Sequence, residues 1–195
     1  LVTTHLHADH VGWNTTWTDG GWQPTFPNAR YVVPEAELAF WKASAEKEGA
    51  DTLLHGAYSD SILPIIETVG YEALESPGEI VPGLHFEPAP GHTDGMSIVR
   101  LTAGDTDVLF LADVIHHPLQ MTDLDIVSNF CVRPDEARTT RRRIISEASV
   151  RGSVLAPYHF PVPVFGHVVQ DGCDFCYRPL NVETGDQPAL GNFQK

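Results

Sequence analysis

His5-Leu6-His7-Ala8-Asp9-His10 gathers four side chains able to ligate a metal, directly behind the β-prone run Leu1-Val2-Thr3-Thr4. In extended backbone, residues two apart point the same way, so His5 and His7 can reach one ion together. A tight turn at Ala8-Asp9 swings Asp9 and His10 toward a second point nearby. Imidazole with carboxylate suits zinc, iron, nickel or manganese, whereas an oxygen-only calcium cage has no use for three histidines. The alternative is a solvated His-rich tract of the kind a purification tag leaves. The specific spacing, and the candidate ligands further along the chain, argue against it. The run 1–4 also reads as the end of a strand that needs neighbours. Earlier strands of the same sheet are therefore expected, and the chain reads as an N-terminally truncated fragment.

Outward from this stretch, residues 12–27 read as a loop rich in large rings: Trp13, Trp17, Trp22 and Phe26. So many aromatics after a ligand cluster predict a wall or lid over a pocket, with about half of them packing on the core instead. Residues 30–33 read as a strand. Pro34 opens a helix at its first position, with Glu35 and Glu37 in the positive first turn, and Gly49 stops it. Residues 51–69 carry mixed helical signals broken by Pro64. From Glu72 the pattern turns to short β-prone runs at 79–81, 84–88, 97–101 and 107–111, separated by turn residues. Val108-Leu109-Phe110-Leu111-Ala112 is continuously apolar, as a buried strand should be. Pro134 begins the clearest helix, with Ala137, Ile144, Ile145 and Ala148 on one face, and Gly152 ends it. Runs 153–156, 166–170 and 175–178 are closing strands, and the segment after Leu180 reads as a loosely ordered tail.

Three more candidate ligands stand at element edges. His92 lies in the turn Pro90-Gly91-His92-Thr93, where Gly91 lets the backbone come close to a site. Asp113 closes the apolar run 108–112, and His159 follows the strand 153–156. Taken singly, Asp113 reads as a capping residue and His159 as a satisfied histidine; the argument rests on their occurring together.

Composition narrows the classes. The chain has 195 residues, enough for one domain with a real core, with 42% hydrophobic and 19% charged residues. Its net charge of −14, from 26 acidic and 12 basic residues, argues against a nucleic-acid partner. A small hydrophobic substrate fits better. No apolar run nears the roughly 18 residues that span a bilayer, so no membrane is expected. A cytoplasmic setting is favoured, although a missing N-terminus can hide a signal peptide, and a homodimer is compatible with the chain. Three cysteines make a poor disulfide framework. Cys173-Asp174-Phe175-Cys176 has the spacing of a redox pair, but it lies in a strand pattern and its cysteines read as structural.

With these residues quoted, the chain resembles the metallo-β-lactamase superfamily: His5-x-His7-x-Asp9-His10, Gly91-His92-Thr93, Asp113 and His159 match its signature in order. Phe26-Pro27-Asn28-Ala29, Ala89-Pro90-Gly91-His92-Thr93, and His159-Phe160-Pro161 with Phe165-Gly166-His167 are similar to methyl parathion hydrolase and its lactonase-like relatives. The resemblance implies an α/β fold, an αβ/βα sandwich of two mixed sheets with outer helices, here without the leading strands of the first sheet. The catalytic domain would cover 1–180, leaving 181–195 as tail. It implies a dinuclear centre in which His5, His7 and His92 hold one divalent ion and Asp9, His10 and His159 the other. Asp113 would bridge them, and a bridging hydroxide would be the nucleophile. Zinc is the first choice of metal, with Fe, Mn, Co or Ni as alternatives. The candidate catalytic residues are Asp9, Asp113 and His116.

Two departures stand out. Many relatives carry Gly-His-Thr-Pro-Gly-His where this chain has Gly91-His92-Thr93-Asp94-Gly95-Met96; the lost histidine is not a ligand in the family. Lactonases of the family place a tyrosine three positions after the bridging aspartate, and here that position is His116, followed by His117. His116 is expected to orient the substrate oxygen or protonate the leaving group, against the alternative that it only supports the site or packs on Pro118. The expected activity is hydrolysis of an ester, lactone or phosphotriester. Thioester hydrolysis of the glyoxalase type uses the same ligands, and a β-lactam fits less well. An iron oxidoreductase of the sulfur dioxygenase type, or an inactive metal-binding module, is the alternative from another class.

Overall fold

A computed structural model describes residues 1–172 and 174–180. The expectations for Cys173 and for the tail 181–195 lie outside the described residues. In chain order the elements are α1 (Ala8–Val11), β1 (Thr15–Thr18), β2 (Gly21–Pro24), β3 (Tyr31–Pro34), α2 (Glu35–Glu48), α3 (Leu63–Glu67) and β4 (Tyr71–Leu74). There follow β5 (Gly78–Val81), β6 (Leu84–Pro88), β7 (Ser97–Ala103), β8 (Thr106–Ala112), α4 (Leu119–Thr122) and α5 (Pro134–Arg151). β9 (Val154–Pro157), β10 (Gly166–Asp171) and β11 (Asp174–Pro179) close the described chain.

A mixed seven-stranded sheet in the order β11-β10-β9-β8-β7-β6-β5 is the centre of the molecule. Its strands pair antiparallel except for β8 and β9, which run parallel. The α5 crossover between them explains that exception, since parallel neighbours need a long connection. The pleat sends alternate side chains to opposite faces. On one face Ile98, Leu109, Leu111 and Leu155 pack against Ile144, Ile145 and Ala148 of α5. On the other, Phe86 and Val99 meet Val32 of β3 and Leu74 of β4. β3 and β4 form a small parallel pair, so the architecture is a sandwich with helices outside it, as the resemblance implies. Arg100 on β7 fastens the α5 side, its guanidinium lying 2.7 Å from Asp107, 2.9 Å from Glu87 and 2.8 Å from Glu147.

Several local expectations need correction. Residues 1–4 form no strand; Val2 makes an isolated parallel bridge to Val32. The segment 12–27 is not a plain loop but contains the β1–β2 hairpin, with Trp17 opposite Trp22. Its turn is Asp19-Gly20 with φ of 53° and 82°, the left-handed pair that an Asp-Gly hairpin turn requires. Pro34 is the N-cap of α2 rather than its first residue, since the same residue ends β3. Residues 51–69 divide into a 3-10 segment (Ala50–Gly56), a π turn (Tyr58–Ile62) and α3. The break follows from Leu54 and His55, both left-handed at φ 54° and 57°. β8 is not buried on both faces, because Phe110 stays 37% exposed. The long helix α5 matches expectation, from Pro134 in its first turn to Gly152 as a left-handed cap at φ 70°. No helix among the described residues is long and apolar enough to cross a membrane.

Candidate metal centre

The candidate ligands sit on loops and on the single helical turn α1, between or after the elements that aim them. His7 is the N-cap of α1, and the single turn of that helix carries Asp9 and His10 round toward the site. His92 lies in the β6–β7 connection. Gly91 and Gly95 bracket it because there is no room for a side chain at either: a Cβ on Gly91 would lie 2.2 Å from Ala137 N of α5, and one on Gly95 2.1 Å from Glu37 N of α2. The loop is thus wedged between the first turns of two helices. Asp113 follows Ala112, a non-glycine residue at φ 46°, and this strained last residue of β8 turns the carboxylate inward. His159 comes two residues after β9.

The donors converge on two points. Ligand atoms of His5, His7, His92 and Asp113 lie within 4.8 Å of one another, as do those of Asp9, His10, Asp113 and His159. Asp113 belongs to both sets. Its Oδ2 lies 3.8 Å from His5 Nε2 and 3.2 Å from His92 Nε2, and its Oδ1 lies 3.0 Å from His10 Nε2 and 3.3 Å from His159 Nε2. His5 is fully buried, and His92 and Asp113 are 2% and 4% exposed. Nε2 of His5, Nε2 of His10 and Oδ1 of Asp113 are nevertheless buried with no hydrogen-bond partner. The short approach of His10 to Asp113 therefore does not run along hydrogen-bonding directions. Buried polar atoms rarely go unsatisfied, and lone pairs aimed past each other at a common point are what a cation between them would satisfy. The residues fit a pair of divalent ions.

Protonation states agree with that reading. Burial, with neighbouring histidines, holds the His5 pKa well below the usual imidazole value and lowers that of His7 to about 4. Burial by itself would raise Asp113, but the surrounding His10, His116 and His92 hold it well below the usual carboxylate range. Neutral imidazoles around a carboxylate are the ligating forms. Cys131 supports the first set, its sulfur 3.6 Å from His92 Nδ1 and its thiol pKa raised by burial.

His116 is also brought to the cluster, its Nε2 3.2 Å from Asp113 Oδ2 and its ring stacked on His159 at 5.5 Å. His117 is not; its Nδ1 accepts from Leu119 N. A cavity of about 810 Å³ opens over the centre. Its apolar wall is Trp41, Leu53, Leu54 and Phe130, not the predicted aromatic loop. Trp13, Trp17, Trp22 and Phe26 are 82%, 58%, 38% and 41% exposed and do not line it. Phe160 is in the core, and Phe165 lines a separate groove beside Phe110. Two residues the sequence did not reveal hold the site from behind. Glu37 is fully buried under the ligand loops, and Arg141 is fully buried under the segment that follows Asp113. In sequence, Glu37 reads as a first-turn acid, and Arg141 is one of three consecutive arginines, Arg141-Arg142-Arg143, with nothing local to set it apart.

A mixed-sheet sandwich with a shared carboxylate between two His-rich donor sets defines a class of metal-site α/β proteins. The chain belongs to the metallo-beta-lactamase superfamily, whose family model matches residues 1–159. Its structure is similar to that of the hydrolase AbOPH of the beta lactamase superfamily, at 24% identity and TM-score 0.76, covering 92% of this chain and 63% of that one. It is also similar to AidC, a dizinc quorum-quenching lactonase in complex with a hexanoyl-homoserine product, at 20% identity and TM-score 0.78, covering 92% and 63%. A third likeness is to a probable metal-dependent hydrolase from Staphylococcus aureus, at 18% identity and TM-score 0.73, covering 92% and 61%. The chain thus spans less than two thirds of each of these. Comparison with curated proteins returns no match.

Proposed function

We propose that the chain carries a dinuclear, metal-dependent hydrolase centre that cleaves an ester, lactone or phosphotriester bond in a small hydrophobic molecule. One observation carries the reading: two four-residue donor sets share Asp113 at the floor of a cavity with an apolar wall. His5, His7, His92 and Asp113 would hold one ion, and Asp9, His10, Asp113 and His159 the other, with zinc the first choice for this imidazole and carboxylate set. Two bound ions would lower the pKa of water held there from 15.7 toward about 7 and take up the negative charge that develops on the attacked group.

The chain's own residues do the rest. Asp113 locks the two half-sites at a fixed separation, because one buried carboxylate faces both. Asp9, with its side chain 53% exposed, faces the open side where substrate arrives. His116 lines the cavity and reaches Asp113, so its imidazole is placed to hydrogen-bond a substrate oxygen or the leaving group. Trp41, Leu53, Leu54 and Phe130 take up an apolar chain and exclude water around the reacting bond. The net charge of −14 disfavours a polyanionic substrate. That AidC, a dizinc lactonase, shares the fold supports lactones as the first substrates to try.

The test is elemental analysis of the purified chain together with a chromogenic ester, lactone and phosphotriester panel. The expected result is about two metals per chain and hydrolysis that a chelator abolishes and zinc restores. A folded chain without metal refutes the reading, and one iron per chain with oxygen uptake moves the protein to the oxidoreductases.

A further inference from the structure

We propose that Glu37 is the positioning residue of the first half-site: its buried carboxylate ties the loop carrying His5 and His7 to the loop carrying His92, keeping three imidazoles aimed at one point. The inference rests on the dinuclear reading above and goes beyond it by assigning a residue that touches neither metal nor substrate.

The geometry is specific. Leu6, between His5 and His7, donates its backbone N–H to Glu37 Oε1 at 3.0 Å. Thr93, next to His92, donates its hydroxyl to Glu37 Oε2 at 2.6 Å. The indole of Trp41 donates to Oε1 at 2.6 Å, and Gly95 adds a backbone N–H. One side chain thus spans partners 31 residues away on one side and 56 on the other. Glu37 has no ion-pair partner among the described residues. Burial accordingly pushes its pKa up, against the opposing hydrogen bonds from Thr93, Leu6, Trp41 and Gly95. If the position served packing alone, a leucine or methionine would fill it without burying a carboxylate. What the carboxylate adds is two oxygens, each accepting from a different ligand loop.

The loops need such a tie. His92 Nε2 lies 2.8 Å from His7 Nδ1, and the His5 ring centroid is 4.8 Å from that of His7 and 4.9 Å from that of His92. The His7–His92 contact can be a hydrogen bond only while one of the two nitrogens keeps its proton, and both must present lone pairs to hold a cation, so in the ligating state the half-site must be held together from behind. Glu37 does this from the rigid first turn of α2, and Gly95 presses the His92 loop onto that same turn. Groups that orient ligands from behind commonly change metal affinity by about 10- to 100-fold when removed.

The test compares the full chain with Glu37→Leu, Glu37→Gln and Thr93→Val. Zn²⁺ affinity at each half-site is read by competition with a chromogenic chelator, Co²⁺ absorption by titration, and stability by unfolding of the metal-free protein. Glu37→Leu is expected to weaken the His5/His7/His92/Asp113 site about 10- to 100-fold while the other site stays within about threefold. Glu37→Gln should recover most of that loss, because its amide oxygen still accepts from Leu6 and its NH₂ can donate to Thr93. A folded Glu37→Leu chain with wild-type affinity at the first site, or an equal loss at both sites, overturns the proposal. If Glu37→Leu does not fold, Thr93→Val decides: it cuts only the Oε2 tie and should weaken the first site about threefold to tenfold, and no change overturns the inference. A wild-type chain that binds no metal overturns the functional reading as well. A wild-type chain that binds two ions, matched at the first site by Glu37→Leu, overturns this proposal alone.

Discussion

Replacing Arg141 by leucine is the sharpest test of how the segment behind Asp113 is held. Arg141 is fully buried on α5. Its Nε donates to Val114 O at 2.8 Å, and its Nη1 donates to Leu124 O at 2.8 Å and to Ile126 O at 2.5 Å. One guanidinium thus staples both ends of the stretch 114–126, which carries His116. Its Nη2 is buried without a partner, and burial lowers its pKa from the usual arginine value. Leucine would strand the buried carbonyls of Val114 and Leu124, each at about 1–3 kcal/mol, for a gross loss of about 2–6 kcal/mol, while Ile126 O keeps the Gln120 amide as donor. Against this, removing an unpaired buried cation and adding an apolar side chain returns several kcal/mol. The net expectation is a loss of about 2 kcal/mol, which in a chain of this size lowers Tm by about 6 °C. Urea unfolding of the metal-free protein measures the first figure, and limited proteolysis within 114–126 reports the local loosening. Arg142→Leu is the control. That side chain is 53% exposed and pairs with Asp125 at 2.6 Å, so its removal should cost about 0.5 kcal/mol or less. If Arg141→Leu stays within about 1 kcal/mol of wild type, or does not exceed the control, the staple argument is wrong.

Three further outcomes are expected. His116→Ala should lower turnover by about 100-fold or more while metal content stays at the wild-type value, the scale of a lost acid–base group; unchanged turnover removes His116 from the reaction. Phe130→Ala, at a side chain 73% exposed on the cavity wall, should raise KM about threefold to tenfold for the longest-chained substrate and leave the shortest unaffected. A uniform effect on both would mean Phe130 does not contact the chain. Ile144→Ala, at a residue 1% exposed between α5 and the central sheet, should cost about 2–5 kcal/mol by urea unfolding. A cost under 1 kcal/mol would show that this interface is not part of the core.

Elements whose signal is local were readable in sequence. α5 announced itself through Pro134, an apolar face and Gly152, and β6, β7 and β8 through short apolar runs between turns. The β1–β2 hairpin was also readable, since Asp19-Gly20 between β-prone flanks is a turn signal; the aromatic residues drew the reading toward a lid instead. β4 and the broken segment 51–69 were not readable. β4 exists because β3 offers it an edge, and the break at Leu54 and His55 depends on backbone angles those residues rarely adopt.

By itself the sequence offered the candidates: side chains able to ligate at His5, His7, Asp9, His10, His92, Asp113 and His159, with Asp113 at a strand end. Spacing singled out the first four, because ligand chemistry is a property of individual side chains; the grouping into two sets, and His116 at the position where related lactonases have tyrosine, came from the resemblance to the family. The tertiary structure decided what no spacing contains. It put Asp113 between both donor sets, set Trp41, Leu53, Leu54 and Phe130 as the wall in place of the tryptophans, and buried Glu37 and Arg141 behind the ligand loops. A glutamate on a helix or an arginine in a basic run has the same local pattern whether it faces water or the core. Only the packing of segments distant in sequence removes the water and gives it partners.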